Sequence, residues 1–267
     1  MGEAHLHARY ATRAPARWIT RTRVGDTSRV PMARPDAISL IDRLLTERPS
    51  FHGHGGTPVN WQLGDGLLRW LVDELPDDPT TLETGCGYST IAFAALSKSH
   101  TVISPVIVEH DRIRAWCAAQ GIHTDHVRFV AEGSQRWLPR ADDAGEVQPL
   151  DAVLIDGDHA YPIPGIDWYY TAGSLRVGGL MVVDDVSIRA CHDLRRFLEG
   201  ESRRWVAVTT IADATVFRKL TNDVVDYTPW NQQPWNRHRP SASLRLASLR
   251  STVRLRTRLR SLWHQHR

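Results

Sequence analysis

The apolar residues of this chain follow two rhythms that take turns. Short apolar runs at 81–83, 101–104, 127–131, 152–156, 180–184, 205–210 and 215–218 predict seven strands. Between them, segments near 89–98, 109–120, 134–138, 163–175 and 187–199 carry apolar residues at helical spacing. Such alternation predicts an α/β fold, a doubly wound, mostly parallel seven-stranded sheet with helices on both faces. In sheets of this kind ligands bind outside the carboxyl ends of the strands.

Upstream of that alternation the pattern is different. Residues 1–35 mix Arg, Thr, Ala and Pro without apolar periodicity and predict a disordered basic extension. From position 36 two helices are predicted. The first buries Ile38, Ile41, Leu44 and Leu45 and stops at Pro49; the second runs over 61–75 with Leu63, Leu67, Trp70, Leu71 and Leu75 inward. Residues 36–79 thus read as a helical N-terminal lid, to which His52, His54 and Trp61 belong, and 80–220 as the main domain. Residues 221–267 read as a basic tail, partly helical or disordered, whose apolar face (Leu244, Leu255, Leu259, Leu262, Trp263) is bordered by Arg245 and Arg256.

Charge follows the same division. The net +3 conceals an acidic body: residues 36–226 hold 17 Lys and Arg against 28 Asp and Glu, whereas 1–35 hold 7 basic and 2 acidic groups, and 227–267 hold 9 basic groups and no acidic one. An acidic body repels phosphate, so no specific nucleic-acid partner is expected, and weak surface association through the basic tail is the most its arginines imply. Cys86, Cys117 and Cys191 lack the spacing of a disulfide framework or a zinc site, which fits a reducing cytoplasm. No apolar run approaches the roughly 20 residues needed to span a bilayer.

The chemistry concentrates at predicted strand ends. Glu83 closes the first strand, Gly85 and Gly87 occupy the turn after it, and Ser89 and Thr90 open the next helix, whose amides can face a carboxylate. A dinucleotide turn calls for a third glycine at position 90, where this chain has Thr90. That departure, with the lack of a Tyr-x-x-x-Lys pair, disfavours an NAD-dependent oxidoreductase. Asp156, Asp158 and His159 follow the fourth strand, and Asp184 and Asp185 follow the fifth. Carboxylates crowded on neighbouring strands repel one another, and a divalent cation relieves that repulsion.

Taken together, Glu83-Thr84-Gly85-Cys86-Gly87, Asp156-Gly157-Asp158-His159 and Asp184-Asp185 resemble the class I S-adenosylmethionine (SAM) dependent methyltransferases. Within them the resemblance is to metal-dependent O-methyltransferases of the catechol and macrocin types, over roughly residues 80–219. It implies a Rossmann-like fold, SAM as cofactor, Mg2+ or another divalent cation, and a small-molecule hydroxyl acceptor such as a sugar, a phenol or a natural product. Position by position it implies that Glu83, Gly85, Gly87 and Ser89 meet the methionine part of SAM and Ser134 the adenine edge. It implies Asp156, Asp184 and Asp185 as metal ligands. The ribose contact stays open between Ser104 and Glu109, because Pro105 interrupts the second strand. His159 stands where the catechol type has a lysine base, and Asp158 competes for that role. A metal-free transferase relying on the His159 or Asp158 base is the alternative.

Overall fold

The computed structural model of the protein describes residues 32–53, 62–222 and 233–236. Residues 1–31 of the expected basic extension, His54 and Trp61 lie outside the described residues. So does the tail beyond 222, except for a 3-10 turn at Pro234–Asn236 in a separate unit formed by residues 225–267. Arg34 and Pro35, assigned to the basic extension, instead open the first helix, where Arg34 donates to the carbonyls of Asp73 and Leu75.

All seven predicted strands are present: β1 (Thr80–Thr84), β2 (Ser99–Ile103), β3 (Val127–Val130), β4 (Leu150–Ile155), β5 (Leu175–Val183), β6 (Trp205–Ile211) and β7 (Ala214–Lys219). They form one sheet in the order β3-β2-β1-β4-β5-β7-β6, in which β7 alone runs against the others. The chain leaves β1 outward to β2 and β3, then returns to β1's other side as β4. That reversal opens a crevice beyond the carboxyl ends of β1 and β4.

Helices α1 (Arg34–Glu47), α2 (Asp65–Glu74), α3 (Tyr88–Leu96), α4 (Ile107–Ala119), α5 (Ser134–Asp143), α6 (Ile163–Ala172) and α7 (Arg189–Gly200) complete the fold. Leu40, Ile41, Leu44 and Leu45 of α1 and Leu67, Leu68 and Leu71 of α2 join the core formed by α3 and the sheet. Ile38, expected inward, is 39% exposed, because Ala37 takes the buried position one residue earlier and rotates the stripe. Helix α2 begins at Asp65, four residues later than the pattern suggested.

Two further expectations need correction. Helix α6 stops at Ala172, and β5 starts at Leu175, well before position 180. Leu150 pairs with Leu175 but Ala152 pairs with Leu180, so extra residues bulge out where Gly178 adopts a φ of 84°. At the other boundary, α4 starts at Ile107, two residues before the expected 109. No described helix is long and apolar enough to cross a membrane.

Candidate active site

Strand register brings the acidic residues together. Thr84 pairs with Ile155, and Ile155 with Val183, so the next residues of the three strands, Gly85, Asp156 and Asp184, stand in a row at the rim. The ladder runs on into that row, with the Asp156 amide donating to Thr84 O (3.1 Å) and the Asp184 amide to Ile155 O (3.0 Å). The rim bounds a cleft of about 810 Å3 whose wall takes in Gly85, Ser104, Glu109, Ser134, Asp156 and Asp184, among others. That volume suits a nucleoside-sized ligand together with a second reactant.

The turn after β1 is shaped by its neighbours. Gly85 has a φ of 89°, and a Cβ there would stand 2.0 Å from the carbonyl oxygen of Asp156. Glycine is therefore required by the β4 backbone, independently of any ligand. The Gly87 amide donates to Thr90 Oγ1 (3.0 Å), and the Thr90 hydroxyl donates to Glu83 Oε1. His100 Nε2 lies 3.1 Å from the same oxygen, and His100 Nδ1 lies 2.8 Å from Thr81 Oγ1. Glu83 is thus a buried anchor beneath the turn and does not line the cleft; its Oε2 is enclosed without a hydrogen-bond partner among the described residues. Ser89, expected at the cofactor, is likewise buried in the first turn of α3 and absent from the cleft wall, and Thr90 caps the turn in its place.

On the acidic side, Asp156, His159 and Asp185 offer ligand atoms that all lie within 4.8 Å of one another. His159 Nδ1 is 3.3 Å from Asp185 Oδ2, and Nε2 is 3.8 Å from Asp156 Oδ1, a charge contact too long for a hydrogen bond. Asp156 and Asp185 hold the His159 imidazole above its ordinary pKa, with Asp156 the larger influence. Burial pushes the Asp156 carboxyl up, and burial together with the nearby Asp156 pushes Asp184 to about 7. These are signs of carboxylates held close without enough countercharge.

Asp185 has a φ of 51°, a left-handed conformation that Asp tolerates better than most residues. Its side chain faces His159 and does not cap α7: the Ile188 amide bonds to the Asp185 backbone carbonyl (2.8 Å), and Asp213 takes the Ser187 amide (3.0 Å). Asp158 accepts from the Ala160 amide (2.9 Å) in an Asx turn and is exposed at the cleft edge, whereas His159 is half-buried.

Both residues expected as candidates for a ribose contact lie on the cleft wall. Ser104 follows β2, and Glu109 reaches in from the first turn of α4. Sequence reasoning gave no role to Cys86, Gln62 or Ile188, which also line the cleft, nor to Asp167, whose carboxylate oxygens are buried without hydrogen-bond partners among the described residues. Burial raises the Asp167 carboxyl to about 6, outweighing the lowering influence of the Ser134 and Thr84 hydroxyls. Of the aromatics in this region, Trp168 packs on Phe197 (4.7 Å between ring centres), while Tyr161 stands 83% exposed.

A family model described as a methyltransferase domain matches residues 82–186, from β1 through the loop after β5. No curated protein matches the sequence. Among solved structures, TomG, an O-methyltransferase from Streptomyces achromogenes seen in complex with SAM, is 20% identical with a TM-score of 0.50, over 70% of this chain and 90% of its own. A protein from Staphylococcus aureus named as a caffeoyl-CoA O-methyltransferase is 16% identical with a TM-score of 0.50, over 70% of this chain and 100% of its own. MycE, a methyltransferase of mycinamycin biosynthesis seen with Mg, SAH and mycinamycin VI, is 17% identical with a TM-score of 0.50, over 73% of this chain and 57% of its own. Residues 82–186 are thus similar to a methyltransferase domain, and the strand order together with these solved structures gives the chain an α/β, Rossmann-like fold.

Proposed function

We propose that the protein transfers a methyl group from SAM to a hydroxyl oxygen of a small molecule, assisted by a divalent cation. The carrying observation is that Asp156, His159 and Asp185 converge in the same cleft as Gly85 and Cys86 of the turn after β1, whereas Gly87, expected at the cofactor, is off its wall. The raised carboxyls of Asp156 and Asp184 support a cation there, since ligation offsets the cost of keeping carboxylates charged in a buried site, to which their mutual repulsion adds. Asp156, Asp184 and Asp185 would hold it. Bound there, it would supply a Lewis acid that lowers the pKa of an acceptor hydroxyl and fixes the direction of its oxygen.

The chain's own residues do the rest. The glycine turn admits the methionine end of SAM against the β1 rim, and Ser134 and Glu109 bracket the nucleoside. Holding donor and acceptor in line removes about 7–11 kcal/mol of barrier when alignment is good. His159, half-buried and steered by Asp185, accepts the hydroxyl proton. Asp158 is placed less well for that task, because one of its oxygens is tied to the Ala160 amide.

A second reading makes His159 a metal ligand beside Asp156 and Asp185, supported by the close grouping of their ligand atoms. Incubating the protein with trideuteromethyl SAM and a panel of sugars, phenols and catechols, with and without EDTA, tests the proposal by mass spectrometry. Label on oxygen that disappears with EDTA and returns with Mg2+ is expected. EDTA-resistant transfer would leave only the metal-free alternative, and absence of SAM binding would end the transferase reading. His159→Gln that loses Mg2+ affinity in calorimetry favours the ligand role, and one that loses turnover alone favours the base.

A further inference from the structure

Glu109 is held from two sides. His52 Nδ1 lies 3.2 Å from Glu109 Oε1, with both side chains at or below 10% exposure, and the Cys86 thiol donates to Oε2 at 3.5 Å. Its place in the first turn of α4 also favours a negative charge. Helix α4 in turn fixes the histidine: Arg112, three residues after Glu109 and so on the same face, donates to Phe51 O (2.8 Å) and Gly53 O (3.4 Å), gripping the backbone on both sides of His52. Phe51 is buried edge-on against Tyr88 and Trp116. The far edge of the ring rests on the glycine turn, where a Cβ at Gly87 would meet His52 Nε2 at 3.3 Å. His52, Cys86, Ser104 and Glu109 all border the same cleft.

We propose that His52 is a positioning residue for nucleoside recognition: it aims the Glu109 carboxylate at the vicinal diol of the cofactor's ribose. This rests on the reading of the cleft as a SAM site. A carboxylate accepts two hydroxyl donors of a cis-diol only while its plane is fixed, and in this buried position His52 is the side chain that fixes Oε1. The histidine comes from the segment between α1 and α2, so the helices before the methyltransferase domain contribute directly to its cofactor wall. Without His52 the Glu109 carboxylate can turn towards the glycine loop, and the diol loses its acceptor.

The test is calorimetry on the full chain with S-adenosylhomocysteine and with its counterpart lacking both ribose hydroxyls, for wild type, His52→Ala, His52→Gln, Glu109→Gln and the His52→Ala/Glu109→Gln double variant. Hydrogen bonds to charged groups lead us to expect about a tenfold to a hundredfold loss of S-adenosylhomocysteine affinity in His52→Ala and in Glu109→Gln. Little loss is expected for the dideoxy ligand. The double variant should bind no more weakly than Glu109→Gln, and His52→Gln, which retains a donor, should recover most of the loss. Circular dichroism monitors folding, and His52→Leu, which fills the space without a donor and is expected to show the same ligand-selective loss, carries the test if His52→Ala does not fold. Equal losses for both ligands, or losses that add in the double variant, would overturn the proposal. Wild-type binding that His52→Ala leaves unchanged would overturn it alone, whereas failure of the wild type to bind S-adenosylhomocysteine would remove the SAM reading and this proposal together.

Discussion

Gly85 and Asp156 meet backbone to backbone: a Cβ on the first would overlap the carbonyl oxygen of the second at 2.0 Å. The turn proposed to admit the cofactor and the first acid of the proposed metal site are therefore one packed unit. Neither can shift without displacing the other, which keeps donor and acceptor sites in fixed relation.

Gly85→Ala should consequently damage both halves of the site. The clash is with backbone, and the φ of 89° is strained for any side chain, so a loss of about 2–4 kcal/mol of stability is expected. Thermal denaturation should show the drop, and calorimetry should show no measurable binding of S-adenosylhomocysteine.

Asp156→Asn separates the two halves. Asparagine keeps the shape at the end of β4 but removes a charge, so methyl transfer should fall on the order of a thousandfold. S-adenosylhomocysteine affinity should change less than about threefold, by the additivity of separated contacts. Mg2+ should raise the melting temperature of the wild type and leave that of the variant unmoved.

Thr90→Val tests the bridge under the turn. Valine matches threonine in shape but cannot accept from Gly87 or donate to Glu83, and it leaves a buried carboxylate with His100 as its remaining donor. A cost of about 1–3 kcal/mol is expected. Because the Gly87 amide is also released, S-adenosylhomocysteine should bind more weakly even at temperatures where the variant is fully folded.

Asp167 gives a pH signature. Burial raises its carboxyl from 3.8 to about 6, so between those values the folded protein holds a proton that the unfolded chain has released. Asp167's contribution to stability therefore declines as pH rises through that window, and its penalty is complete above pH 6. Relative to wild type, Asp167→Asn should gain stability as pH increases from 4 to 7. Urea midpoints measured across that range in EDTA check it, and a difference independent of pH would contradict the assignment.

Strand identity was legible in the sequence from the short apolar runs, and three of the runs also end at a chemical marker. Glu83 and the glycines close β1, and Asp156 and Asp184 follow β4 and β5. Register converts those markers into neighbours, which periodicity alone cannot show. The bulge in β5 was missed because Gly178 and Gly179 look like a loop when their pairing partners are unknown. Glu83 was placed against the ligand because a strand-end acid in a glycine motif carries no sign of depth; His100, a partner on the next strand, is what draws it inward. Ser89 and Thr90 are both good capping types, and only the backbone decides that Thr90 points back to Gly87. The link between His52 and Glu109 spans 57 positions of sequence and leaves no local trace.

The tip of the β6–β7 hairpin reaches back to the loop that carries Asp185. Asp213 receives the Val186 amide on its carbonyl (2.8 Å) and the Ser187 amide and hydroxyl on its carboxylate (3.0 and 2.5 Å). Every proposed ligand is thus encoded before the residue that braces one of them. The proposed metal centre thus leans on a hairpin that supplies none of its ligands, and a change at Asp213 is expected to disturb that centre while leaving all of its donors intact.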